Sequence, residues 1–269
     1  MTGETPEAAF FRRGWVRFPR EDAMSGWVAA MASPAARIAA DPLQAVQWRC
    51  GGTWFAGVDA IPNDESGAVP ADGVPPLAGA AVDFVAGALG LRGFDWDRGQ
   101  LSICTPGYPA APMEGESEAA FRYRVRRDAA HVDGLERFGD RRRRLSERHG
   151  FILGIPLASP PPEASPMVVW EGSHEVIRAA FRERLAGIPP ARWSEEDVTE
   201  AYHAARARIF EDCPRVALPA SAGESYIVHR LALHGVAPWG EEGGTEPRPI
   251  AYFRPDPLPG AVAWWLEAP

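Results

Sequence analysis

Of six histidines in the chain, His131 alone has an aspartate two positions on, Asp133. On a strand, residues two apart share a face, because side chains alternate across the backbone. An imidazole and a carboxylate arriving together suit a first-row divalent metal. A second imidazole from a distant strand would complete a two-histidine, one-carboxylate face with open positions opposite. Taken alone the pair is weak, since six histidines give such a neighbour by chance in roughly one sequence in three. His131 by itself reads equally as a surface or a core histidine.

The third ligand must come from His149, His174, His203, His229 or His234. His203 falls on the outward middle of an expected helix. His229 and His234 are an odd number of positions apart, so in a continuous strand they face opposite sides of the sheet. His234 follows the apolar run Leu231, Ala232, Leu233 and precedes Gly235, where the backbone is free to bend near a cofactor. His234 is therefore the choice, and His229 is read as structural. Arg248 lies fourteen positions beyond His234, before the strand-like Ile250–Phe253. If that strand neighbours the one ending in His234, the Arg248 fork could grip the far carboxylate of a dicarboxylic cosubstrate. On spacing alone, an exposed arginine at a strand start is the better reading.

The elements that must position these residues lie in the second part of the chain. Residues 1–100 read as mostly helical and irregular: an Ala-rich helix over Glu21–Ala40, a Gly/Pro-rich loop over Asp59–Pro76, and a helix over Leu77–Leu91. From Leu101 the texture is β-branched and aromatic. Strands are expected over Leu101–Thr105, Phe121–Asp133, Phe151–Leu157, Met167–Trp170, Arg215–Leu218, Ser225–His229, Leu231–Val236, Ile250–Phe253 and Ala261–Trp265. A helix over Ser194–Phe210, with Ser194 and Asp197 placed as a capping box, sits in a helical insert near 175–211. The pattern predicts one mainly β domain over 1–269 with flanking helices, a double-sheet jelly roll. Tyr123 and Arg127 share strand parity with His131 and Asp133, so both could face the cavity as substrate contacts, although core filling suits Tyr123 better.

Composition narrows the chemistry. The chain has 269 residues, 46% hydrophobic, and a formal charge of −8, so no global attraction to nucleic acid or anionic membranes is expected. All 28 basic residues are arginine, which removes Schiff-base chemistry and phosphate-loop lysines. Cys50, Cys104 and Cys213 are odd in number and far apart, fitting neither a disulfide framework nor a thiolate zinc site. The stretch Met1–Phe11 carries Glu4 and Glu7 and no apolar core, and no long apolar run follows. The expectation is a cytoplasmic protein in a reducing compartment.

The order His131-Val132-Asp133, then Val168-Val169-Trp170-Glu171-Gly172-Ser173-His174, then His229-Arg230-Leu231-Ala232-Leu233-His234-Gly235, then Arg248 before an apolar strand resembles the phytanoyl-CoA dioxygenase family. The likeness spans about Leu101 to Phe253. It implies a double-stranded β-helix (jelly roll, cupin-like), iron(II) on His131, Asp133 and His234, and 2-oxoglutarate with its distal carboxylate on Arg248. The implied reaction uses O2, releases succinate and CO2, and hydroxylates a small organic substrate. Relatives that halogenate lack the carboxylate ligand, so Asp133 favours hydroxylation. The Gly172-Ser173-His174 segment recurs in the family as a turn and would put His174 at the pocket mouth; a turn histidine bonded to backbone is an equal reading. Two features depart from the family: Val236 stands where a small hydroxyl residue is common, and the gap to Arg248 is long. The run Arg141–Arg144 follows the metal motif closely and could attract an acidic substrate from a loop near the pocket, although a solvated face is the usual reading.

A second reading, from another class, is a non-catalytic metal-binding jelly roll that holds a ligand or partner. A zinc hydrolase fits less well, because no general base accompanies the three ligands.

Overall fold

The structure, a computed structural model, describes residues 4–268. Positions 1–3, part of the Met1–Phe11 stretch read above, and Pro269 lie outside the described residues. In chain order the strands are β1 (Trp15–Phe18), β2 (Trp48–Arg49), β3 (Trp54–Phe55), β4 (Gln100–Cys104), β5 (Leu135–Phe138), β6 (Arg142–Leu145), β7 (Phe151–Pro156), β8 (Met167–Trp170), β9 (Arg215–Leu218), β10 (Ser225–His229), β11 (His234–Val236) and β12 (Arg248–Phe253). The helices are α1 (Pro6–Arg13), α2 (Asp22–Ala40), α3 (Ala80–Gly87), α4 (Glu118–Arg126), α5 (Ser173–Arg184), α6 (Thr199–Asp212) and α7 (Val262–Glu267).

Seven strands form an antiparallel sheet in the order β1-β10-β7-β12-β4-β3-β2, and β11-β8-β9 form a second; β5 and β6 make a separate hairpin. The chain alternates between the two sheets. It runs from β4 in the large sheet to a single bridge at His131 beside β11, returns to β7, crosses to β8 and β9, and comes back as β10. It then crosses to β11 and ends as β12. That alternation is the winding of a double-stranded β-helix, a jelly roll. The fold is mainly β with flanking helices.

Strand periodicity assigns each face. Ile152, Tyr226, Val228, Ile250 and Tyr252 of the large sheet pack inward on Met167 and Val169 of the small one. Phe151, Leu153, Ile155, Ile227, Ala251 and Phe253 point outward from the large sheet and are covered by Phe10 and the α2 stripe Met24, Trp27, Met31. Outside the small sheet, Val168 and Trp170 are covered by Ile177 and Phe181 of α5 and Tyr202 and Ile209 of α6. Strand β7 is buried along its whole length because both faces are covered, which is why it reads as an unbroken apolar run.

Several expectations differ from the structure. The Phe121–Asp133 stretch is not a strand: α4 occupies Glu118–Arg126, with the Ser117 hydroxyl accepting from the Ala120 N–H at 3.3 Å. Its Phe/Tyr/Val alternation has no buried face, as no α4 residue is buried, and the surrounding Ala, Glu and Arg favour a helix. Ala261–Trp265 belongs instead to α7, which buries Trp265 and Leu266; a run that short carries no decisive period. The Ser194–Phe210 helix is α6, Thr199–Asp212. Its N-cap is Val198, with Asp197 just before it accepting from the Thr199 N–H at 2.9 Å, so Ser194 is not the cap. Strands β1 to β3 from the first hundred residues extend the large sheet.

Candidate metal centre

His131 is held in place by an irregular turn pinned to β11. The His131 N–H donates to the His234 carbonyl at 2.8 Å, the His234 N–H donates back at 3.0 Å, and the Val236 N–H donates to Asp128 at 2.8 Å. Asp128 and Ala129 both adopt left-handed backbone, φ 51° and 54°. For alanine that conformation costs about 1 kcal/mol or more, and strain of this kind persists where surrounding structure enforces it. The enforcement comes from Arg215, which grips the Asp128 carboxylate with two bonds of 2.7 and 2.8 Å, and from Arg206, whose Nη2 donates to the Ala130 carbonyl at 2.8 Å. Gly235 has a sharper role than backbone freedom. A Cβ there would lie 2.0 Å from the Asp128 carbonyl oxygen, so only glycine lets the His131 turn approach β11.

The structure brings His131, Asp133 and His234 together: one ligand atom from each lies within 4.8 Å of the others. His131 Nε2 is 3.1 Å from Asp133 Oδ1, and His234 Nε2 is 3.6 Å from Asp133 Oδ2. Each imidazole Nδ1 sits 2.9 Å from a backbone carbonyl two residues back, Ala129 for His131 and Ala232 for His234. A donated Nδ1–H makes that contact favourable and turns each Nε2 toward the gap, where a neutral ring would offer its lone pair to a metal. His234 Nε2 is buried with no hydrogen-bond partner, an arrangement a metal ion would satisfy.

Asp133 is held by a residue that sequence reasoning missed. Arg254 Nε donates to Asp133 Oδ2 at 2.6 Å, while its Nη1 donates to Gln100 Oε1 at 2.5 Å and its backbone N–H to Asp97 Oδ1 at 2.8 Å. Burial works against the Asp133 charge, but Arg254 and the two imidazoles overcome it and hold the carboxyl well below its usual range. The signal for Arg254 was strand parity, since it follows Tyr252 by two positions at the end of β12. His149 is the second missed neighbour. Its Nε2 lies 3.9 Å from Asp133 Oδ2, and burial pushes its pKa down to about 4, so it stands neutral beside the triad.

The triad lies at the wall of a cavity of about 480 Å³ that also meets Ser102, Met167, Tyr252 and Arg254. Arg248 is not in that wall. It lies in an adjoining recess bordered by the same Met167, 4% exposed, contrary to an exposed strand-start arginine. Its Nη2 touches Cys104 Sγ at 3.3 Å, and its Nε and Nη1 have no partner. Ser165, whose hydroxyl lies near the same thiol, is buried and without a hydrogen-bond partner.

The remaining candidates lie elsewhere. His174 is not at a pocket mouth: it is 1% exposed in the first turn of α5, its Nε2 bonded to the Phe11 carbonyl at 3.0 Å. His229 lies against it with ring centres 4.7 Å apart and bonds Arg178 at 3.0 Å, in keeping with a structural part. Arg127 ends α4 with its guanidinium 4.3 Å from the Phe210 ring centre. Tyr123, half exposed on α4, lines a second cavity that His131 also borders.

No protein-family model matches the sequence, and no curated protein sequence matches it. Some of the solved structures with a similar chain course are described as non-haem, α-ketoglutarate-dependent enzymes. The α-ketoglutarate-dependent carbocyclase SnoK from nogalamycin biosynthesis is 15% identical, covering 93% of this chain and 83% of its own, with a TM-score of 0.49. AviO1 from Streptomyces viridochromogenes is 14% identical over 97% of this chain and 98% of its own, TM-score 0.49. HygX from Streptomyces hygroscopicus, solved with nickel, 2-oxoglutarate and hygromycin B, is 16% identical over 93% and 85%, TM-score 0.44. Likeness at this level concerns the path of the chain. Among the described residues, no helix is long and apolar enough to cross a membrane.

Proposed function

We propose that this chain is an iron(II)- and 2-oxoglutarate-dependent dioxygenase that hydroxylates a small organic substrate. The observation that carries the reading is the triad itself: two imidazoles with Nδ1 tied to backbone, both Nε2 atoms turned to one gap, and a carboxylate beside them. The donor set of two nitrogens and one oxygen suits iron(II) and leaves open positions. When bound, the iron and its keto-acid cosubstrate supply the oxidising power. Overall, 2-oxoglutarate, O2 and a C–H bond become succinate, CO2 and a C–OH bond.

The chain's own groups would do the positioning. His131, Asp133 and His234 would hold the metal, with Arg254 fixing the second Asp133 oxygen so that the carboxylate keeps one orientation. Arg248, buried without a carboxylate partner, suits the distal carboxylate of 2-oxoglutarate, with the Ser165 hydroxyl near the same thiol in place of the hydroxyl residue absent at Val236. The likeness of the His131-to-Arg248 motif order to the phytanoyl-CoA dioxygenase family supports the same reading.

Metal loading tests this reading. Reconstituted protein should bind about one iron(II) per chain and convert 2-oxoglutarate slowly to succinate under air. His234→Ala should lose both. Retained stoichiometric iron in His234→Ala, with wild-type succinate formation, would refute the assignment.

A further inference from the structure

The second cavity that His131 borders has its own chemistry. It measures about 490 Å³ and adjoins the metal cavity through Trp54, His131 and Val236, which line both. Its wall contains five arginines, Arg49, Arg124, Arg137, Arg143 and Arg206, and one carboxylate, Glu116. Arg124 takes both oxygens of Glu116, at 2.8 and 2.9 Å. Five cations against one anion leave a surplus of four positive charges, in a chain whose formal charge is −8.

Apart from Arg124, none of these arginines pairs with a carboxylate among the described residues, although Arg206 already donates one N–H to the Ala130 carbonyl. The run Arg141–Arg144 divides: Arg142 pairs with Asp197 at 3.5 Å and Arg144 with Glu136 at 2.9 Å, whereas Arg143 has no carboxylate and faces the cavity. Its Nε is buried and unpartnered, as is Arg206 Nε. Burial, and then the like charges of Arg137 and Arg206, hold the Arg143 pKa below its ordinary value, while Tyr202 works in the other direction. Like charges gathered in one cavity with a single counter-ion among them repel one another, and an incoming anion relieves that repulsion. Aromatic rings complete the wall: Trp54 with Arg49 stacked at 5.6 Å, Tyr202 with Arg143 at 5.3 Å, and Tyr108.

We infer that this cavity seats the substrate, and that the substrate is an organic oxyanion with a flat or apolar body, its carboxylate or phosphate group held by Arg143 and Arg137 while its body lies on Trp54 and Tyr108 toward His131. The inference rests on the oxygenase reading for the word substrate. The anion preference rests on the cavity alone. Arg248 serves a different anion in a different recess, so cosubstrate and substrate do not compete for one guanidinium.

The test is calorimetric titration of anaerobic protein loaded with iron(II) and 2-oxoglutarate, using 2-naphthoate, 2-naphthyl phosphate and uncharged 2-naphthamide as probes. At least one anion should bind tenfold or more tightly than the amide, weaken as salt is raised, and lose about tenfold in Arg143→Gln. The exposed hairpin substitution Arg137→Gln, which leaves the core untouched, should weaken it in the same direction. Binding of the carboxylate alone or the phosphate alone identifies the source of the charge. Equal binding of the amide, no binding of either anion, or affinity unchanged in both arginine variants would overturn the inference. The visible band of chelated 2-oxoglutarate, read in the same sample, separates the two ideas. A band without anion binding overturns the substrate class only, whereas anion binding without a band overturns the oxygenase reading and leaves an anion cavity.

Discussion

Replacing Arg248 with methionine separates a binding role from a structural one. The guanidinium is 4% exposed and offers two unpartnered N–H-bearing nitrogens, Nε and Nη1. A hydrogen bond between charged groups contributes about 1.5–3 kcal/mol. Losing two such bonds to a carboxylate removes about 3 kcal/mol at the low end, which is roughly a hundredfold in affinity at about 1.4 kcal/mol per decade. The same change acts the other way on the ligand-free protein. A buried cation without a carboxylate partner costs free energy, and an apolar chain of similar length fills the recess without that cost. Arg248→Met should therefore raise the 2-oxoglutarate Kd about a hundredfold while leaving apoprotein stability unchanged or higher. Isothermal titration of anaerobic iron-loaded protein gives the first quantity and urea unfolding of apoprotein the second. A Kd within threefold of wild type, with a destabilised apoprotein, would refute the cosubstrate role and make Arg248 a packing residue.

Three further outcomes follow from the same geometry. Gly235→Ala would drive a Cβ against the Asp128 carbonyl and part the His131 turn from β11; competition with a chelator should show iron affinity down tenfold or more, and unchanged affinity contradicts the close-approach argument. Arg254→Leu frees the second oxygen of Asp133, and loss of such an outer partner typically costs about 10–100-fold in metal affinity; the same competition reads it, with wild-type affinity as the refuting result. Burial pushes the Asp97 carboxyl up to about 6, against the opposing pull of Arg254. Because an unfolded aspartate titrates at about 3.9, the folded state binds this proton more tightly. The stability it lends is complete below about 3.9 and lost as pH rises through about 6. Wild type should lose up to about 3 kcal/mol relative to Asp97→Asn across that window, and urea melts at pH 4 and pH 7 showing a constant difference would contradict it.

The jelly roll was legible where burial is two-sided. Phe151–Pro156, Met167–Trp170 and Ser225–His229 are fully buried strands, and such strands read as apolar runs whatever their neighbours. Helix α2 was legible for the matching reason: its buried Met24, Trp27, Val28, Met31 and Ala35 recur at helical spacing. Half-buried segments were not. Phe121–Val125 alternates as a strand would, yet α4 buries none of it, and α7 is too short for its period to speak. The sequence picked out His131, Asp133 and His234, but for a reason the structure revises. They meet because a left-handed turn at Asp128 and Ala129 is pinned to β11, not because His131 and Asp133 share a strand. Of the arginine-lined cavity, only Arg143 was in view, within the Arg141–Arg144 run; the other arginines come from α4, α6, β5 and β2, and no local pattern joins them.

The most direct test of the central claim is anaerobic titration of apoprotein with iron(II) and then 2-oxoglutarate, following the weak visible charge-transfer band of a chelated keto acid. The account predicts a band that saturates at one equivalent of each in wild type and is absent in His131→Ala. Folded wild-type protein that binds iron(II) yet develops no band would contradict it, and would leave a jelly roll that holds metal without using 2-oxoglutarate.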